Sequence, residues 1–178
     1  MEEELSEEEL RRLYNLMLLT RIFDSQAVNL QRQGRIGFFV PCEGEEASEV
    51  GSAFALKPSD WAFTDYRASA VLITRGMSLN LLFAQLMANS EDILKGRAMP
   101  SHWGSRAVNV VPPSSPICTQ LPQAVGVALG ASMKGDRIAT IAYFGDGGTS
   151  SNDFHSGLNF AAVFKTPTVF FCRNNGYA

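Results

Sequence analysis

The sequence lacks several things, and each absence narrows the reading. Its three cysteines, Cys42, Cys118 and Cys172, lie far apart and include no C-x-x-C pair. A disulfide framework and a structural zinc site are thereby excluded, and three buried, inert thiols in a reducing compartment are expected. No apolar run reaches the roughly 18 residues of a membrane helix, and the acidic N-terminus is the reverse of a signal or transit peptide. The expectation is a cytoplasmic protein with no membrane partner. Neither G-x-x-x-x-G-K-S/T nor a full G-x-G-x-x-G occurs, which argues against a general nucleotide-phosphate binder. A strong charge of either sign is also missing. The net charge of -3 conceals six glutamates among the first ten residues, and without them twelve acids face fifteen bases. An excess of about +3, so dispersed, argues for neither nucleic acid nor a membrane surface. It would tolerate an anionic ligand.

What is present is an ordinary globular composition, 178 residues with 46% hydrophobic and 19% charged, long enough for one sizeable core. Ser6 and Glu9 have capping-box spacing, and Leu10, Leu13, Tyr14 and Met17 follow at helical intervals, so a helix should begin here and stop by Gly34. The expected organisation is a helical segment over 1–35 and an α/β domain over 36–178. Residues 44–56 and 78–87 read as helices, and 61–64 as a short strand leading into Asp65-Tyr66-Arg67. Residues 96–119 lose all periodicity and read as one long loop, of a kind that is usually functional or mobile. Helix returns over 120–133, where Gly126 and Gly130 expose bare backbone for close packing by another helix.

The last third carries most of the chemistry. Residues 138–144 form an apolar run suited to a strand buried on both faces, and 167–172 form a second. Between them Ser151 or Asn152 caps a helix whose Phe154, Leu158, Ala161 and Ala162 share one stripe. Such a crossover makes the strands parallel and brings their carboxyl ends to one edge of the sheet, where ligands collect. Asp146 and the pair Asn174-Asn175 each stand just beyond a strand end. A carboxylate and an amide carbonyl are hard oxygen ligands suited to magnesium beside a phosphate. Gly147 and Gly148 place bare N–H groups at a helix start, where anions are favoured.

The spacing of GDG and NN is similar to the thiamine diphosphate fingerprint. The text around it, with GRIGFFVPCEGEEASEVGSAFAL, TDYRASAVL, KGRAMPSHWG and SSPICTQLPQAVGVAL upstream, resembles the alpha subunit of the decarboxylating component of 2-oxoacid dehydrogenase complexes. KGRAMPSHWG, SSPICTQ and CRNNGYA are most similar to the branched-chain enzymes; NVVPP and GDGGTS also resemble bacterial pyruvate enzymes. The resemblance implies a thiamine diphosphate-binding α/β fold, a parallel sheet flanked by helices and incomplete on its C-terminal side. It implies magnesium on Asp146, Asn175 and the Tyr177 carbonyl, and diphosphate on Gly147, Gly148, Arg67 and Arg173, with Tyr66 alongside. Ser115 and Ile117 would line the thiamine. Ser114, Pro116, Thr119 and Gln120 match a potassium site, although a plain proline-rich turn explains the same letters. The family's activating glutamate belongs to a beta subunit, so no catalytic side chain is expected here. The implied activity is oxidative decarboxylation of a branched-chain 2-oxoacid with acyl transfer to a lipoyl domain. The implied partners are a beta subunit, a lipoyl-bearing acyltransferase and, if the alpha subunit is split, a chain carrying its remainder. The alternatives are a pyruvate- or acetoin-type homologue, or a non-catalytic fragment or assembly module that retains the fold. Where the family has glutamate-glycine after its G-T-S or A-T-S, this sequence has Ser151-Asn152.

Outside that set, plainer roles are expected. His155 reads as a hydrogen-bonded structural residue, Arg21 and Arg97 as surface or ion-pair residues, and Trp61 and Trp103 as packing groups. Glu43, Glu45 and Glu46 read as a solvated helix start. His102 has no partner at a recognisable spacing.

Overall fold

The computed structural model describes residues 4–177. Ser6 caps α1 (Glu7–Arg32) through the expected capping box, and Gly34 follows in the left-handed region at φ +73°. Then come α2 (Glu46–Phe54), β1 (Trp61–Phe63), α3 (Ser69–Thr74) and α4 (Leu79–Leu86). A 3-10 turn (Arg106–Val108) precedes β2 (Val110–Val111), followed by α5 (Gln120–Lys134) and β3 (Thr140–Gly145). A second 3-10 turn (Asp146–Ser150) leads into α6 (Asn152–Phe164) and β4 (Thr168–Arg173).

The four strands form one parallel sheet in the order β2-β1-β3-β4. This is the expected α/β architecture, with β3 central because it is the apolar run buried on both faces. Its period-two alternation divides two cores. Ile141 and Tyr143 join Phe23, Leu72, Leu82 and Trp103 on one side, while Ala142 and Phe144 join Phe63, Leu121 and Ala124 on the other. Strand register aligns Phe144 with Cys172 and Gly145 with Arg173, so both strands deliver their chains to the same edge together.

Several expectations are corrected. The stretch 96–119 is no featureless loop: it contains β2, and its Trp103 is buried, donating from Nε1 to the Leu82 carbonyl at 3.1 Å. A two-residue strand is too short to impose a periodicity on the sequence. β4 is not buried on both faces, because it lies at the sheet edge with Val169 half exposed and Cys172 exposed. Only Cys42 and Cys118 are therefore buried thiols. Among the described residues no side chain comes within 4 Å of where Gly126 or Gly130 would carry a Cβ. α5 instead meets α6 through Gly157, whose Cβ would stand 3.1 Å from Leu121 Cβ. Ala162 is exposed while Phe154 and Leu158 face the core. On α1, Leu13 and Met17 pack partly inward, but Leu10 and Tyr14 remain exposed.

Candidate functional site

Five segments converge at the carboxyl edge of the sheet around a cleft of about 220 Å³. Asp146 follows β3 directly, and Asn175 lies two residues beyond β4. A long contact of 3.4 Å from the Asn175 amide to Asp146 Oδ1 joins the two strand ends. Asn175 Oδ1 accepts from the Tyr177 amide at 3.1 Å, folding the last turn back over the same spot. Tyr66, Arg67, Ser114, Ser115, Pro116, Ile117, Gln120, Gly147, Gly148 and Arg173 line the cleft as well. Of the expected site residues only Thr119 stands off it, donating its hydroxyl to the Pro116 carbonyl at 3.0 Å. Residues 29 apart in sequence are thus brought into contact, as parallel strands joined by a helix require.

The glycines lie about one turn ahead of the α-helix start where they were expected. Gly147 and Gly148 belong to the 3-10 turn, and α6 starts only at Asn152 with Ser151 as its cap, accepting from the Phe154 amide at 3.1 Å. Gly148 is buried, and a Cβ there would lie 2.3 Å from Cys118 Sγ and 3.3 Å from Ile117 Cγ2. Only glycine lets the turn close on the 114–118 loop.

Each cation of the site is held by its neighbours. Arg67 donates from its amide to Asp65 Oδ1 at 2.9 Å and from Nη1 to the Pro41 carbonyl at 3.0 Å. The Pro41 loop is itself anchored by buried Asp24, which accepts from the Cys42 amide at 2.7 Å and the Ser69 hydroxyl at 2.9 Å. Burial pushes the Asp24 carboxyl up despite these donors. Arg173 is almost fully buried and is paired with Glu49, Asp65 and, at 3.1 Å, Glu45. Burial opposes its charge, yet Asp65 and Glu49 more than offset that and raise its pKa. Glu49 is wholly buried, and burial, reinforced by Asp65 and Glu45, drives its carboxyl well above the usual range against the pull of Arg173. Arg173 Nε has no hydrogen-bond partner among the described residues.

Three acids, Glu45, Asp65 and Asp146, face two arginines along the cleft wall. The wall is not a simple anion trap, so a polyanionic ligand fits best together with a divalent cation. The oxygen set at Asp146 and Asn175 suits such a cation. No cluster of three or more His, Cys, Asp or Glu side chains able to hold a metal occurs among the described residues. An ion here would therefore rely on amide and main-chain oxygens beside the single Asp146 carboxylate. Gln120 donates from Nε2 to the Tyr143 carbonyl at 2.7 Å, which together with the Thr119 contact already ties two of the four proposed potassium ligands into the loop.

Sequence reasoning missed Glu49, Asp65 and Cys118. Glu45 and Glu49 are four apart on a helix face that also buries Val50 and Ala53, and an acid on an apolar stripe was the available signal. Glu45 and Glu46 are not a solvated helix start: Glu46 is buried against Arg21 Nε at 2.5 Å. Arg21 is accordingly an ion-pair residue and Arg97 a surface one, as expected. His155 is exposed beside the Phe154 ring, and no hydrogen bond among the described residues engages it.

The chain is 47% identical over 173 residues to the mitochondrial 2-oxoisovalerate dehydrogenase subunit alpha of Dictyostelium discoideum, covering 97% of this chain and 39% of that protein. It is 47% identical over 167 residues to subunit alpha 1 of Arabidopsis thaliana, covering 94% and 35% respectively. The Homo sapiens subunit is 45% identical over 174 residues, covering 98% and 39%. The chain thus spans about two-fifths of these relatives' length. Residues 14–178 match the profile of the dehydrogenase E1 component, and the chain belongs to that family.

Proposed function

We propose that this chain forms the diphosphate half of a thiamine diphosphate and magnesium site in the decarboxylating component of a branched-chain 2-oxoacid dehydrogenase. The observation that carries the reading is the meeting of Asp146 and Asn175 at one sheet edge, in a cleft that also holds Arg67, Ser115 and Ile117. Asp146, Asn175 and the Tyr177 carbonyl would hold magnesium. Arg67, the Gly147–Gly148 backbone and Arg173 would hold the diphosphate beside Tyr66, since arginine forks match phosphate oxygens and glycine permits close approach. A diphosphate drawing on Arg173 competes with Glu45 and Asp65, the two partners that reach the cleft. Ser115 and Ile117 would meet the thiamine portion. A potassium ion at Ser114, Pro116, Thr119 and Gln120 would brace the loop between them. Thiamine diphosphate, when bound, supplies the electron sink for decarboxylating a 2-oxoacid. The role of this chain is to anchor and orient that group, while a beta-type subunit supplies the activating carboxylate and a lipoyl-bearing acyltransferase accepts the acyl group.

Calorimetric titration with thiamine diphosphate and magnesium, with and without a beta-type subunit, tests the reading. Binding that requires magnesium and is lost in Asp146→Ala is expected. Absence of binding in both samples overturns the proposal. Binding without release of carbon dioxide from any 2-oxoacid identifies a non-catalytic module instead.

A further inference from the structure

His102 had no partner in the sequence, and the structure supplies two. The side chain is buried at 6% exposure on the loop beside the cleft. Its Nδ1 lies 3.0 Å from the Pro100 carbonyl and its Nε2 lies 3.1 Å from the hydroxyl of Ser115, a cleft-lining residue. A carbonyl oxygen only accepts, so Nδ1 must carry a proton. In the neutral ring Nε2 then has a free lone pair, and the contact with Ser115 is made by the serine donating its single hydroxyl proton. The alternative acceptor for that proton, Met99 Sδ at 3.5 Å, is more distant and a weaker acceptor.

We propose that His102 is a positioning residue for the cleft: held as the Nδ1–H tautomer by Pro100, it accepts the Ser115 hydroxyl hydrogen bond at Nε2 and leaves Ser115 facing the ligand with lone pairs only. The ligand group opposite Ser115 is therefore a hydrogen-bond donor, of the kind the exocyclic amine of an aminopyrimidine provides. A serine free to rotate would accept a donor or an acceptor equally well; one committed to a buried imidazole selects the donor. This rests on the thiamine diphosphate reading for the identity of the ligand, but not for the tautomer.

Two measurements test it. The first is long-range ¹⁵N–¹H correlation of the imidazoles in the 178-residue chain, assigned with His155→Gln because only two histidines are present. The proton is expected on Nδ1 of His102, and the Nε2 resonance should move in Ser115→Ala. A proton on Nε2, or an Nε2 signal indifferent to Ser115→Ala, overturns the proposal. The second compares binding of thiamine diphosphate and of inorganic pyrophosphate, each with magnesium, in the presence of a beta-type subunit. His102→Leu and Ser115→Ala should each weaken thiamine diphosphate about fivefold, the scale of one neutral hydrogen bond. Pyrophosphate should be unaffected, and His102→Gln, which keeps an acceptor oxygen, should restore most of the loss. Equal losses for both ligands would make His102 a merely structural residue, and no loss for either would remove its role; both outcomes overturn the proposal. A wild type that binds neither ligand overturns the thiamine diphosphate reading, whereas the spectrum then still decides the tautomer.

Discussion

Single side chains at the site are constrained by what they touch rather than by what they are. Gly148 is the sharpest case, since the space for a Cβ is taken by Cys118 Sγ at 2.3 Å and bounded by Ile117 Cγ2 at 3.3 Å. Gly148→Ala should lose about 1–3 kcal/mol, the usual cost of overpacking, as measured by urea unfolding. Adding Cys118→Ala should recover part of the loss, because it removes the clashing sulfur. Tyr143 illustrates a different constraint. Burial pushes its phenol up to about 12, although the Ser52 hydroxyl lies within hydrogen-bond distance at 3.0 Å. Its folded pKa is raised above the unfolded value near 10. The stability tied to its proton is therefore complete below pH 10 and is lost as the pH rises towards 12. Unfolding titrations between pH 8 and pH 11 should show this decline in the wild type and a shallower one in Tyr143→Phe. At pH 8 that variant should lose about 1 kcal/mol with its hydrogen bond.

Among the elements, α5 and β3 do most to hold the cleft in shape. Gln120, the first residue of α5, reaches the main chain of β3 at the Tyr143 carbonyl, and Thr140 Oγ1 returns a contact to the Ala124 carbonyl at 3.2 Å. The first of these bonds anchors the 114–119 loop to the strand that Asp146 directly follows. Replacing Gln120 by Ala leaves a buried carbonyl without its side-chain donor, which costs about 1–3 kcal/mol. Chemical denaturation should report that loss, and amide exchange of residues 114–119 should quicken beyond what global destabilisation alone produces. Gln120→Glu should not rescue it, because an ionised carboxylate cannot donate to the Tyr143 carbonyl.

Across the whole molecule, apolar surface is left open where the sheet stops. Val169 on edge strand β4 and Phe160, Val163 and Phe164 on α6 are all about half or more exposed. Open parallel edges and apolar faces of this kind normally meet further structure, and the relatives have more than twice the chain. The chain should therefore associate with itself or bind a hydrophobic dye when isolated. Light scattering should show this tendency reduced in the double variant Val163→Glu, Phe164→Glu. Much of the layout was readable beforehand. The capping box at Ser6, the buried run that became β3 and the helix between the last two strands each leave a periodic or positional trace in the sequence. So do Asp146 and Asn175, because parallel connectivity alone brings successive strand ends to one edge. What no local pattern recorded was the two-residue β2, the edge position of β4, the three carboxylates around Arg173, and the His102–Ser115 contact. Local sequence determines periodicity, capping and the parallel direction of strands linked by a helix. Partners from distant segments, such as Glu49 and Arg173, are chosen only when packing closes the core, since their contact is made between side chains 124 residues apart and leaves no spacing to read.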